Sequence, residues 1–515
     1  MTNLSSVTEM CRQGDVEGVF KAAKEDWMAS PTDVWNQRKM GWVLYYLIKD
    51  DVVGHRTEAL HDHVEVLCAL EAITPQDDAV LWDCCLWKLA AYVKSLTVGM
   101  EGEATWLFSQ MHHCQFLPSK AYSCFLHAHL HLTAWGGLTD FVEWWNLANL
   151  MPEDFVPYAI PGGRTLMSLA EQAHITYAKA LLRRGDRERM SQFLPVLERL
   201  ASEHSEMAYP GYYCGKLLMA MGENRERVLD ALLPFVRERK REFWAWQLLA
   251  EVYVDEPSMR LACLLRAVHC KTQETFLGRV RQELASLYVA SGDVARAKHH
   301  LDCVAVCYCQ QRWHLPAEAQ DMLRYVSART RETDGSDSID YRPMTDALLL
   351  RGCPESLAVV TWVDAKAHRA ALVYGFKKRA AMGLKSIDGR VEEGTLLRVR
   401  EYPEGDKHSG VCTAAVVQDD EFSEQSYLKR LRGVLKVPEG KTFGFMKSHG
   451  INCFVKPELL SRHHLTGGEG VTLLAVLDYN KKKEEWCWTA LTVQPNEGVA
   501  ARNSVPQACI EQENV

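Results

Sequence analysis

The stretch "KTFGFMKSHGINCFVKP", Lys441 to Pro457, sets Phe443 and Phe445 around Gly444 and brings in a third ring at Phe454. Side chains alternate faces along a strand, so Phe443 and Phe445 lie on one side together. Turned outward, that side is a surface on which unpaired bases stack; turned inward, it is the core of a sheet. Alternation serves both readings equally, and the surrounding chain has to decide between them.

On both sides of this stretch the texture is that of strands. Short β-branched or apolar runs, "LAVVTWV", "AALVYGF", "TLLRVREY", "TAAVVQ", "GVLKV", "VTLLAVLDY" and "WCWTALTV", are separated by Gly, Asp, Glu and Lys. Roughly ten strands over some 140 residues predict two small barrels.

The second of them, about Arg432 to Val493, resembles a cold-shock domain, a five-stranded oligonucleotide-binding barrel. The resemblance rests on Lys441, Phe443, Gly444 and Phe445 in the first motif of that family and on Phe454 in the second. It implies rings that stack on bases, flanked by lysines that meet phosphates. Val437 stands where the family usually has a stacking tryptophan, Lys456 replaces a histidine, and Pro457 replaces a further aromatic. With Lys436, Lys447 and Arg462 added, these departures predict a smaller, more electrostatic and sequence-tolerant surface.

The first β unit, about Leu357 to Gln418, is similar to a more divergent barrel of the same superfamily. Trp362, Tyr374 and Phe376 are its candidate stacking residues, and Lys377, Lys378, Arg379 and Lys385 its basic cluster. The alternative for both units is core aromatics beside a solvated charge run, which would leave two barrels that do not bind nucleic acid.

Ahead of the β segments the pattern is different. Up to about residue 328 apolar residues recur every three or four positions, which predicts helices. Turn signals fall near Gly14, Asp50, Gly99, Gly136, Gly185, Gly222, Asp255 and Gly292, the last four 33 to 37 residues apart. A helix-pair period of that length indicates a solenoid. The late copies resemble the tetratricopeptide repeat (TPR): Trp246, Leu249, Ala250, Tyr253 and Ala262 in one, Leu284, Ala285, Tyr288, Gly292 and Ala297 in the next. Gly215 and Leu218 keep part of the pattern, and the first 160 or so residues fit only as irregular helical hairpins.

The expected organisation is therefore multidomain α + β: a TPR-like α-solenoid over 1–328, a charged linker over 329–345, a divergent barrel over 346–420, a cold-shock-like barrel over 428–494 and a tail over 495–515.

A net charge of −8 gives the whole chain no attraction for nucleic acid. Residues 358–495 nevertheless hold about 21 Lys and Arg against about 17 Asp and Glu, leaving about −12 on the rest, and such segregation is a cue for a local basic face. The amino terminus has no basic start followed by an apolar run, so export is not expected, and runs such as "MGWVLYYLI" are too short to span a bilayer. A reduced, cytoplasmic protein is expected, its 17 dilute cysteines mostly at apolar helix positions.

"MHHC" at 111–114, "HAHLHL" at 127–132 and Cys303, Cys307 and Cys309 lack the paired spacing of a metal site. No phosphate loop, dinucleotide fingerprint or nucleophile elbow appears. No metal, cofactor or catalytic residue is expected.

The reading that follows is an adaptor rather than an enzyme. Its barrels would bind single-stranded RNA or DNA, RNA favoured, through Lys436, Lys441, Phe443, Phe445, Phe454 and Lys456, with Trp362, Tyr374, Phe376, Lys377, Lys378 and Arg379 in the first unit. The helical groove would hold a protein partner. The domain pairing resembles bacterial conflict-system proteins, which implies phage defence. The competing readings are a pure protein-interaction scaffold with degenerate barrels and a translation- or RNA-decay-associated factor.

Overall fold

The protein's structure, a computed structural model, describes residues 4–160, 163–403, 410–480 and 484–496; the tail expected from Pro495 lies, beyond Asn496, outside these. The chain divides between Ile339 and Asp340 into a helical unit and a β unit.

In the helical unit the turn chemistry repeats. Gly185, Gly222 and Gly292 adopt φ of 70°, 71° and 84°, the left-handed geometry that ends a helix cheaply only at glycine. Asp186, Asn224 and Asp293 then accept the N-terminal amides of Arg189, Arg227 and Arg296 and start the next helix. These junctions join Leu169–Arg184 to Arg187–Glu203, Pro210–Ala220 to Arg225–Glu238, and Gly278–Ser291 to Val294–Gln311. Phe243–Val252 and Pro257–Val268 form the pair between, with Pro257 opening the second helix. Ala250, Ala262, Ala285 and Ala297 are fully buried, so the small residues lie where neighbouring helices approach.

Three features depart from the sequence reading. Asp50 is inside the helix Val34–Gly54, which ends instead at His55 with φ 54°. A short antiparallel hairpin, β1 (Tyr158–Ile160) and β2 (Arg164–Leu166), interrupts the helices. Residues 334–338 of the segment expected to be a linker are bonded along the last helix pair. Asp334 donates its amide to the Ala295 carbonyl, Arg296 donates to the Ser336 carbonyl at 2.9 Å, and the Tyr288 and Ser338 hydroxyls are 3.2 Å apart.

The β unit opens with the helix Arg342–Leu349. A six-stranded sheet follows: β3 (Glu355–Asp364), β4 (Arg369–Gly375), β5 (Lys378–Gly383), β6 (Ile387–Asp388), β7 (Leu396–Glu401) and β8 (Val411–Val416), in the order β5-β4-β3-β7-β8-β6. The remaining strands, β9 (Leu428–Lys436), β10 (Gly444–Ser448), β11 (Ile451–Val455), β12 (Gly470–Asn480) and β13 (Glu485–Pro495), close into a five-stranded barrel, β10-β11-β13-β12-β9. Leu431, Leu435, Met446, Cys453, Val455, Val471, Leu473 and Val493 fill it, capped by Leu459 and Leu460 from the helix Pro457–Arg462.

A second apolar layer joins the two sheets. Val359, Val373 and Leu396 from the six-stranded sheet pack with Leu428, Leu474, Val476, Leu477 and Leu491 from the barrel. Tyr427, buried at the same layer, donates its hydroxyl to the Leu357 carbonyl at 2.5 Å.

Three outcomes test this packing. A methyl at position 215 would lie 2.1 Å from Leu232 Cδ2, which is fully buried; Gly215→Ala lowers stability by about 1–3 kcal/mol, overpacking outweighing the roughly 1 kcal/mol gain in helix propensity, as a urea melt will show. Tyr427→Phe costs about 0.5–1.5 kcal/mol while both sheets still unfold in one transition. Burial pushes the pKa of His129 down to about 3, and burial with Arg281 nearby does the same for His300. The unfolded rings titrate near pH 6.5, so below that pH the unfolded state takes up protons that the fold excludes. The urea midpoint of the helical unit is therefore highest above about pH 6.5 and declines as pH falls toward about 3.

Candidate nucleic-acid interface

The geometry of Lys441–Pro457 begins at its turn. Ser448 and Ile451 are the last paired residues of β10 and β11, and the two between them, His449 and Gly450, have φ of 46° and 79°. Positive φ at both centres is the two-residue hairpin turn whose twist matches the strands it joins. This turn fixes the register Phe445↔Phe454, Met446↔Cys453 and Lys447↔Asn452, and register decides which set of side chains points inward.

Met446, Cys453 and Val455 point into the barrel and are fully buried. Phe443, Phe445 and Phe454 are on the other face, half-buried, with ring centroids 5.7 Å apart in each of the three pairs. They pack against one another edge-to-face or tilted and stand outside the barrel's core cluster. Gly444 is buried between them: a Cβ there would be 2.9 Å from Leu435 Cδ1 and 3.2 Å from the Lys436 carbonyl. A side chain there would force Leu435 and the β9 backbone to give way where β9 curls across β10.

Cross-strand pairing lays a row over this face: Lys436 on β9 opposite Phe445 on β10, Phe445 opposite Phe454 on β11, and Phe454 opposite Thr489 on β13. Lys447 and Asn452 form the next row, and Val434, just over half exposed, lies on the same side of β9 as Lys436. Lys441 leaves the Pro438–Lys441 turn two residues before Phe443 and is exposed. Lys436, Lys441, Lys447 and Arg462 make no ion pair among the described residues. Val437 packs against the barrel core instead of standing on the platform.

Other expected site residues are already engaged. Lys456 forms an ion pair with Glu393 from the turn before β7. Lys378 pairs with Glu401 at 2.8 Å and Arg379 with Asp478 at 2.9 Å. Tyr374 is a correction: it is buried with Ala370 and Leu372 inside the six-stranded sheet, because it shares their parity on β4, and cannot stack on a base. Trp362 and Phe376 are more than half exposed. The register shift in β3 between Val360 and Trp362 turns the indole away from the side that its parity with Val360 would give it, and the Lys377 ammonium is 5.4 Å from the Phe376 ring.

The sequence reading missed Thr489 and Asn452 as members of the face, since period-two patterning cannot show which strands adjoin. It also missed Glu393, 63 residues from Lys456 along the chain. Among the described residues no three His, Cys, Asp or Glu converge as a metal site. His131 instead bonds to the Ala128 and Leu96 carbonyls, and His129 to that of Phe125.

Comparison with known families gives two matches. Residues 429–493 match the S1/CSD-like domain 2 of the TOTE conflict systems, and this match covers β9 to the end of β13 almost completely. Residues 208–340 match a domain of unknown function, DUF7017, within the helical unit and reaching the end of the segment bonded along its last helices. No curated protein matches the chain.

Because the three rings are only half-buried and stand outside the core, alanine at Phe443, Phe445 or Phe454 loses part of their apolar burial and the ring–ring contacts, about 1–2 kcal/mol each. Met446→Ala, from the opposite face of the same strand, costs about 2–5 kcal/mol. Urea melts of the four variants separate the two faces.

Proposed function

We propose that the barrel binds single-stranded nucleic acid, RNA preferred, across β9, β10 and β11. The observation that carries this is the cluster of three half-buried phenylalanines on the barrel's outer face, bordered by lysines with no protein counter-charge among the described residues. Bases stack on Phe443, Phe445 and Phe454, a mode indifferent to base identity because every base has a π-face. Lys436, Lys441, Lys447 and Arg462 meet phosphates, which makes the affinity strongly dependent on salt. The match to a domain of the TOTE conflict systems supports this reading and its setting, defence against foreign genetic elements.

The six-stranded sheet is read as a second barrel of the same class. β6 follows β5 after one 3-10 turn and pairs in parallel with β8, as β11 pairs in parallel with β13. The pairing scheme of the smaller barrel is thereby repeated, the third strand being broken into two pieces. Trp362, Phe376 and Lys377 offer a further contact surface on it. The helical unit is read as a TPR-like solenoid that holds a protein partner, so the chain is a cytoplasmic, non-catalytic adaptor. Tethering a modest strand binder to a partner raises local concentration without tight contacts from either. No described helix is long and apolar enough to cross a membrane.

A second reading, a docking scaffold without nucleic-acid affinity, draws on the ion pairs that engage Lys378, Arg379 and Lys456. Fluorescence anisotropy of the full chain with short labelled oligo-uridine and oligo-thymidine, at low and moderate salt, decides between the two. The adaptor binds both at low salt, and alanine at Phe443, Phe445 or Phe454 costs about 1–3 kcal/mol of binding. Absence of binding to either oligomer at low salt leaves only the scaffold.

A further inference from the structure

The contact between Lys456 and Glu393 has a position that the neighbouring ion pairs lack. Lys456 follows Phe454 by two residues in extended backbone, φ −67° and ψ 149°, so alternation carries it to the side of the strand that bears the ring. Its ammonium is thus the cation nearest in sequence to Phe454. Glu393 reaches it from the other sheet of the β unit.

The turn that carries Glu393 is held at both ends. Glu392 donates its amide to the Thr395 hydroxyl at 2.9 Å and Thr395 donates back to the Glu392 carbonyl at 3.0 Å. Gly394 donates to the Val360 carbonyl at 2.8 Å, and Val360 returns a bond to the Thr395 carbonyl. At Gly394, with φ 91°, a Cβ would be 2.5 Å from Thr492 Cγ2, so the turn lies tight against β13, the strand beside Phe454. A carboxylate fixed in this way sits beside Lys456 before any ligand arrives.

A carboxylate and a phosphate oxygen make the same demand on an ammonium: charge and a hydrogen-bond acceptor. Both members of this pair are about a third exposed, and an ion pair so exposed is weak enough to exchange. We propose that Glu393 is a built-in competitor for the nucleic-acid backbone. It occupies Lys456 in the unbound protein and yields it only to a strand long enough to cover the whole row from Lys436 to Lys456. The cost of displacing Glu393 falls only on a strand that places a phosphate at Lys456; a shorter strand leaves the ion pair in place and forgoes that contact. Glu393 therefore offsets part of the affinity that a longer strand gains by reaching Lys456 and leaves short fragments unaffected. This inference rests on the nucleic-acid reading of the platform and concerns its regulation.

The test uses the full chain, anisotropy with short and longer labelled oligo-uridine, and the variants Glu393→Gln, Lys456→Ala, their double and Phe445→Ala. Glu393→Gln keeps the shape and hydrogen-bonding groups of the turn and removes the charge. The expected result is about two- to fivefold tighter binding of the longer oligomer. Its salt slope becomes steeper by about 0.7, the value for one further phosphate contact on a single strand. Lys456→Ala in the Glu393→Gln background abolishes that gain, whereas alone it changes affinity far less. If Glu393→Gln leaves affinity and slope unchanged while Phe445→Ala weakens binding, the competitor is overturned and the platform stands. If neither the native chain nor Glu393→Gln binds at low salt, the platform itself is overturned and the competitor with it.

Discussion

The β unit's candidate function depends on one constraint: alternation of side chains along a hairpin whose register a two-residue turn fixes. His449 and Gly450 supply the two positive φ values. From that turn Met446, Cys453 and Val455 fall on the inside and Phe445 and Phe454 on the outside. A slip of one residue would exchange the sets, burying rings too large for the space beneath and exposing the thiol and thioether. Core and surface are therefore specified together, and the bulk of the platform is itself a reason for the register. Gly444 adds the steric condition, since a side chain at that point would press on Leu435 and on the Lys436 carbonyl of β9.

Electrostatics divides the basic residues into two groups. Lys436, Lys441, Lys447 and Arg462 stand without counter-charges among the described residues, the three lysines on β9, on β10 and between them, Arg462 at the end of the helix after β11. Lys378, Arg379 and Lys456 each have a carboxylate partner. A surplus of positive charge over a segment thus overstates the charge available to a polyanion, because part of it holds strands and sheets together. What remains for an anion is concentrated on β9, on β10 and in the turn between them.

Much of this is legible in the sequence, and the misses have physical causes. The helix period, the glycine that closes a helix followed by the Asp or Asn that opens the next, and the strand texture all act locally and can be read locally. Asp50 reads as a turn because polar residues usually end helices, yet the helix runs on to the left-handed His55. Tyr374 reads as exposed because "AALVYGF" is apolar at nearly every position. In a strand packed on both faces, parity carries no label for which face is which. The Phe443, Phe445 and Phe454 question is open in the sequence for the same reason, and it is the register with β11 that answers it. The pairing of Glu393 with Lys456 and the layer shared by the two sheets are contacts between distant segments, for which a single sequence gives no signal.

The apolar layer between the sheets has a further meaning for where the chain can be cut. The family match runs from Lys429 to Val493, yet Leu428, Leu474, Val476, Leu477 and Leu491 share their burial with Val359, Val373 and Leu396, which lie outside it. The matched segment is thus smaller than the segment that keeps its apolar side from water. A barrel cut out alone would expose the apolar back that it now buries against the six-stranded sheet. The ringed face has no share in that layer, so substitutions on it leave the joint between the two sheets untouched.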